Sequence, residues 1–340
     1  MKINEKKFND GLKIIEPPED NWLLGANSKV GGDVVAEDGD WTKWFPIGER
    51  QKRARVEPMA CVTFATLNSV EIQIKRLIDL GIIDTEPIKD WLDENNEINF
   101  SDRFLAFVSG TTENGNSLNN PPEALRKLGC PPENIWPHSD DFTWSTYYKV
   151  PSTEAYKKGK ELLNYFDFEW HWLPRTYLMM GGKMRGYLVV QHTISEALKQ
   201  APVVIGAATC PGWFGSEEIK ACNLAANHAS VIAGEKAGDY RIDFNSYEPH
   251  IKKLDWYYKI HFATQIFVKP KTNILKKNNM LTKILKDKNS TAVYLAFQMT
   301  NEAALYALMK NIGIEPPTIN NQPNTINWSQ LSIDGEIEFK

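Results

Sequence analysis

Met59-Ala60-Cys61-Val62-Thr63-Phe64-Ala65 opens an apolar series that continues through Leu67, Val70, Ile74, Leu77 and Ile78. Apolar residues three and four apart line one helix face, so the spacing predicts a helix from Cys61 to about Leu80, stopped by Gly81. A thiol at such a start meets unpaired backbone N–H groups and the positive end of the macrodipole, which favour thiolate. A free cysteine also serves commonly as a small buried hydrophobe. Two downstream segments weigh toward chemistry. Asn227-His228-Ala229 leads into the strand-like run Ser230-Val231-Ile232-Ala233, and Asn245-Ser246-Tyr247 follows a further strand candidate, Tyr240 to Phe244. A thiol, an imidazole and an orienting amide are the parts of a cysteine-based acyl-transfer site.

Bulk properties exclude several classes. A chain of 340 residues with 42% hydrophobic and 24% charged content reads as an ordinary globular protein. The net charge of −4 gives no reason to expect nucleic acid or an anionic membrane as partner. No stretch approaches membrane-spanning length, and the first residues lack the apolar core of a secretion signal, so cytoplasmic residence is the expectation. The four cysteines show no zinc-site spacing. Cys130, Cys210 and Cys222 read as structural thiols, with a Cys210–Cys222 pairing across a loop as the alternative. No nucleotide or metal cofactor is implied.

Residues 1–39, punctuated by Pro17-Pro18 and Gly31-Gly32, read as an irregular arm that the aromatic segment Asp40-Trp41-Thr42-Lys43-Trp44-Phe45-Pro46 anchors. Ser101 or Asp102 caps a second expected helix, and Pro121-Pro122 opens a third ending at Gly129. Strand candidates crowd the second half: Tyr187 to Val190, Val203 to Ala207, Ala229 to Ala233, Tyr240 to Phe244 and Ile260 to Val268. Lysine-rich residues 269–288 read as a linker, and 289–340 as a small module that packs on the body or on an assembly partner.

The order of these features resembles the papain family of cysteine peptidases over roughly residues 40 to 265. Asp40-Trp41 is similar to the start of the family domain, and Ser101-Asp102-Arg103-Phe104-Leu105 to its Leu-Ser-Glu-Gln helix. Ala201-Pro202-Val203-Val204-Ile205, Asn227-His228-Ala229 and Asn245-Ser246-Tyr247 resemble its later strand, histidine and asparagine motifs. The resemblance implies an α+β, papain-like two-lobed fold. Its helical lobe, about 50–145, carries the cysteine, and a β-barrel-like, strand-rich lobe, about 186–268, carries histidine and asparagine. An insertion occupies about 147–185.

It also implies roles. Cys61 is the nucleophile, His228 the general base and then acid, and Asn245 the orienter of the imidazole, with Asp243 as competitor. Gln51 is the oxyanion donor, although it lies ten residues before Cys61 where the family has six. Gly115, Asn116 and Ser117 form the strip contacting an extended substrate backbone, or simply a turn. The implied partner is a polypeptide substrate. Ala60-Cys61-Val62-Thr63-Phe64 also resembles divergent phage and bacterial members, which points to a phage virion as an alternative location and a phage structural protein as a partner through 289–340. The rival reading is a catalytically idle structural or cargo component.

Overall fold

The expected helix forms as α1, Cys61–Asp79, and its end shows why Gly81 was needed. Gly81 takes φ +63°, its N–H donates to Ile78 O at 2.8 Å, and the next N–H, of Ile82, donates to Leu77 O at 2.9 Å. This paired closure satisfies carbonyls the helix leaves open, in a conformation that glycine alone adopts without strain. The computed structural model describes residues 11–13, 34–53, 56–180 and 183–276, all within one compact unit, Met1–Lys276. The expected module at 289–340, the linker beyond 276 and most of the arm 1–39 lie outside the described residues.

Three helices follow the same local logic. The Ser101 side chain caps α2, Asp102–Val108, by accepting Phe104 N–H at 3.1 Å. Prolines in the first turn, where their missing N–H costs nothing, open α3, Asn120–Leu128. Ser152 caps α4, Thr153–Leu162. The last helix is α5, Gln191–Leu198.

Nine strands are described: β1 Phe166–Trp172, β2 Thr176–Met180, β3 Lys183–Leu188, β4 Val203–Ala207, β5 Glu218–Ile219, β6 His228–Lys236, β7 Tyr240–Phe244, β8 Ile251–Asp255 and β9 Phe262–Pro270. β2 and β3 pair with each other. The other seven form one sheet in the order β1-β9-β4-β6-β7-β8-β5, antiparallel except for β5 with β8. The architecture is therefore α+β. Two features depart from the sequence reading. The sheet is an open series ending at β1 and β5, not a closed barrel, and β1 comes from the stretch read as an insertion.

α1 packs on β6, β9 and β4, and most of its polar residues, though not Lys75 or Asp79, are buried with its apolar ones. Gln73 shows how such burial is tolerated. Its amide donates to Ser69 O and Ile266 O, both at 2.9 Å, and its carbonyl accepts Val268 N–H at 3.2 Å. Every polar atom of that side chain is matched, so desolvation is compensated. Trp41 pins the segment before α1 to β6, through N–H to Ala233 O at 2.8 Å, and to the end of α5, through Nε1–H to Leu198 O at 2.7 Å. Among the described residues no helix is long and apolar enough to cross a membrane.

Cys210 and Cys222, read as separate thiols with a pairing across a loop as the alternative, are joined in a disulfide with Cα atoms 5.8 Å apart. A tight turn, Trp213 N–H to Cys210 O at 3.0 Å, sends the chain back, and the two cysteines meet within bridging range. Spacing alone could not place them there. Cys61 and Cys130 are free and buried.

Candidate active site

Cys61 is the first residue of α1, so its thiol stands where the helix presents free N–H groups. Met59, two residues earlier, takes φ +53°, a left-handed conformation rare outside glycine and asparagine, which turns the chain sharply into the helix. Backbone hydrogen bonding from Ala229, Val62 and Cys61 itself lowers the thiol pKa. Burial works the other way and dominates, with Glu57 adding like charge, so the pKa is pushed up to about 12. The thiolate expected from the helix start is thus not the resting form. A thiol with 0% exposure has lost the water that would solvate its charge.

What covers it is the N-terminal segment. Gly11 lies directly over the sulfur, and a Cβ built there would stand 2.8 Å from Cys61 Sγ. Asn116 N–H donates to Gly11 O at 2.9 Å, and Lys13 N–H donates to Asn116 O at 2.7 Å. Leu12 between them forms a parallel bridge with Asn116 and buries its side chain near Gly206. Gly115, at φ +80°, is required for this approach, because a Cβ there would fall 1.9 Å from Gly11 O. The Asn116 side chain is locked by Ser109, Thr111, Ser117 and Asn120, leaving its backbone to pair outward. Ser117 is buried and donates to Asn119 Oδ1 at 2.6 Å.

His228 opens β6, adjacent to the Ala229 amide that faces the thiol. Its Nε2–H donates to Asn245 Oδ1 at 3.3 Å. The ring lies between Trp213, edge-on at 5.6 Å between centroids, and Tyr247 at 5.3 Å. The disulfide loop carries Trp213, so the bridge holds one wall of the imidazole. Burial lowers the His228 pKa to about 4, outweighing the Asn245 hydrogen bond that raises it. The imidazole is neutral at neutral pH, the state a base requires.

Gln51 is buried at 2% exposure and every polar group of it is engaged. Its Nε2 donates to Glu57 Oε1 and to Tyr247 OH at 3.2 Å, and its Oε1 accepts from Ser246 Oγ at 3.2 Å. Its backbone N–H donates to Ser246 O at 3.1 Å. The structure thus ties Gln51 to the residues immediately after Asn245. The sequence reading gave no role in this neighbourhood to Glu57 or Trp213, and Tyr247 entered it only as the last residue of Asn245-Ser246-Tyr247. Only the motif order could have pointed to Tyr247, and no local pattern marks Glu57. Among the described residues no group of three or more side chains could hold a metal ion.

No family model and no curated protein matches the chain. Among solved structures it is similar to xylellain, a cysteine protease from Xylella fastidiosa, at 18% identity, 67% of this chain, 84% of that one and a TM-score of 0.45. It is similar to the bromelain protease of Ananas comosus at 14% identity, 68% of this chain, 98% of that one and a TM-score of 0.43. The digestive procathepsin L2 proteinase of Tenebrio molitor larval midgut aligns at 12% identity, 77% of this chain, 80% of that one and a TM-score of 0.47.

Proposed function

We propose that this chain is a papain-like thiol peptidase that cleaves peptide or amide bonds through an acyl-enzyme on Cys61. One observation carries the reading: an extended backbone, Gly11 to Lys13, runs between the thiol and Asn116 and is held by two backbone hydrogen bonds. A site that seats one extended peptide across a buried thiol has the shape to seat another. The neutral His228, hydrogen-bonded to Asn245, supplies the base.

In this mechanism the substrate displaces residues 11–13 and pairs with Gly115, Asn116 and Ser117. His228 takes the thiol proton, and the sulfur adds to the carbonyl carbon. The oxyanion accepts from the Cys61 backbone N–H and from Gln51 Nε2, which exchanges its 3.2 Å bond to Tyr247. His228 then gives its proton to the leaving amine, and water, activated by the same imidazole, releases the acid. Asn245 holds the ring throughout.

A second reading, a catalytically idle structural component of the kind found in a phage particle, draws on the covered thiol and its raised pKa. Alkylation of Cys61 by iodoacetamide against pH separates the two. The measurement compares the full chain with His228→Ala, each with and without Leu12→Ala to loosen the covering segment. The peptidase reading expects an apparent thiol pKa well below about 8.5 once uncovered, lost with His228. A thiol pKa that stays at or above the ordinary value in the two uncovered proteins, unchanged by His228→Ala, supports the idle component.

A further inference from the structure

Asp243 is a buried charge that the reaction proposed above leaves unused. It points inward from β7 with 0% exposure, as does Arg241 two residues earlier, at 1%. Arg241 turns to Glu235 at 3.5 Å and to the Trp256 ring, away from the acid. One carboxylate oxygen of Asp243 accepts Asn245 Nδ2–H at 3.2 Å, and the other has no hydrogen-bond partner among the described residues. Lys252 stands opposite Asp243 in register on β8, with its ammonium on Tyr247 O at 3.0 Å and on Pro249 O. From β6 the Ser230 hydroxyl faces the carboxyl, and His228 reaches it only through Asn245. The Tyr258 phenol is close enough to feel its charge. A buried carboxylate is costly, and the Ser230 hydroxyl, the Asn245 amide and the charge of Lys252 offset that cost only in part.

The bond from Asn245 falls on the amide that faces the imidazole. A side-chain amide has an accepting end and a donating end, and whichever end meets His228 decides which ring nitrogen carries the proton. Tyr247 N–H donates to Asn245 Oδ1 at 3.0 Å and holds the oxygen end. Asp243 holds the nitrogen end. We propose that Asp243 is a positioning residue whose carboxylate, by accepting Asn245 Nδ2–H, keeps Oδ1 toward His228 and so selects the imidazole tautomer protonated at Nε2. Nδ1 is then the free base for a thiol proton. The inference rests on the peptidase reading for its purpose, but not for its readout.

The control is reversible with pH. Burial raises the Asp243 pKa to about 6 against the opposing pull of Ser230, Asn245 and Lys252, while His228 stays neutral down to about 4. Between those values the carboxyl takes a proton, ceases to be an obligate acceptor and releases its hold on the amide before the imidazole charges.

Nitrogen-15 spectra of the full chain, labelled at histidine, read the tautomer directly, with His228 assigned by its loss in His228→Ala. Near pH 7.5 the unsubstituted protein is expected to hold the Nε2–H form, and Asp243→Asn to populate both forms comparably. Lowering the pH to about 5 shifts the unsubstituted protein the same way and leaves Asp243→Asn unmoved. Asp243→Leu, which removes the acceptor outright, shifts at every pH. A tautomer unchanged in folded variants, or unchanged across that pH range in the unsubstituted protein if both variants unfold, overturns the proposal. With the cover loosened by Leu12→Ala, Cys61 alkylation is expected to fall about twofold in Asp243→Asn, because comparable tautomer populations halve the form whose Nδ1 can take the thiol proton. A Cys61 that stays inert in the Leu12→Ala proteins beside a responsive tautomer would refute the peptidase reading and leave the role of Asp243 standing.

Discussion

Gly11 and Cys61 meet so closely that a Cβ on the glycine would stand 2.8 Å from the sulfur, and the thiol is wholly sealed from solvent. The contact depends on Leu12, whose buried side chain anchors the segment, and on Gly115, which lets the two backbones approach.

Leu12→Ala removes that anchor at a cost of about 2–5 kcal/mol, if the site does not collapse around the gap. Because the segment is the cover, its loosening speeds iodoacetamide labelling of Cys61 while Cys130, buried elsewhere, stays unlabelled. Mass spectrometry of the two cysteine peptides measures both. Equal labelling of Cys61 in the two proteins would mean that residues 11–13 do not control access.

With the cover in place the thiol pKa is pushed up to about 12, so alkylation of the unsubstituted chain is expected to climb through the whole alkaline range. A plateau reached near pH 9 would show a thiol already solvated, and the close packing of Gly11 would then not describe the protein in solution.

Glu71 gives a pH dependence with a definite sign. Burial, aided by the like charges of Glu49, Glu97 and Asp93, raises its pKa from 4.5 to about 8. The folded state binds this proton more tightly, so the stability it contributes is greatest below 4.5, falls as pH rises to about 8, and then levels off. The slope contributed by one such group is at most about 1.4 kcal/mol per pH unit. Glu71→Gln keeps the acceptor for Phe100 N–H at 3.0 Å and removes the ionisation. Its Tm should overtake that of the unsubstituted chain as pH goes from about 5 to 8. Parallel Tm profiles would argue against a proton on Glu71.

The Cys210–Cys222 bridge closes a short loop, which places its worth at about 2–4 kcal/mol. Replacing both cysteines with serine should lower Tm and make it insensitive to reductant. It should also loosen Trp213 from the His228 ring, visible as a change in tryptophan fluorescence. A Tm that reductant leaves unmoved in the unsubstituted protein would count against the bridge.

Much of the frame was legible before any coordinates because its causes are local. The three-and-four spacing after Cys61, Gly81, the Ser101 cap, Pro121-Pro122 and the apolar runs at Val203 and Ser230 each act within one or two turns or strands of chain. The succession of Cys61, His228 and Asn245 was equally plain, and folding brings His228 onto Asn245 at 3.3 Å. Other features depend on segments far apart in the chain, and no periodicity records them. Gly11 lies over Cys61, and Tyr247 joins Glu57 on the Gln51 amide. The Cys210–Cys222 bridge was open in the sequence as an alternative, and the turn between the cysteines decided it. The charge states belong to the same class. A helix start argues for thiolate, yet burial raises the Cys61 pKa, because desolvation is set by everything packed around a group and not by its neighbours in sequence.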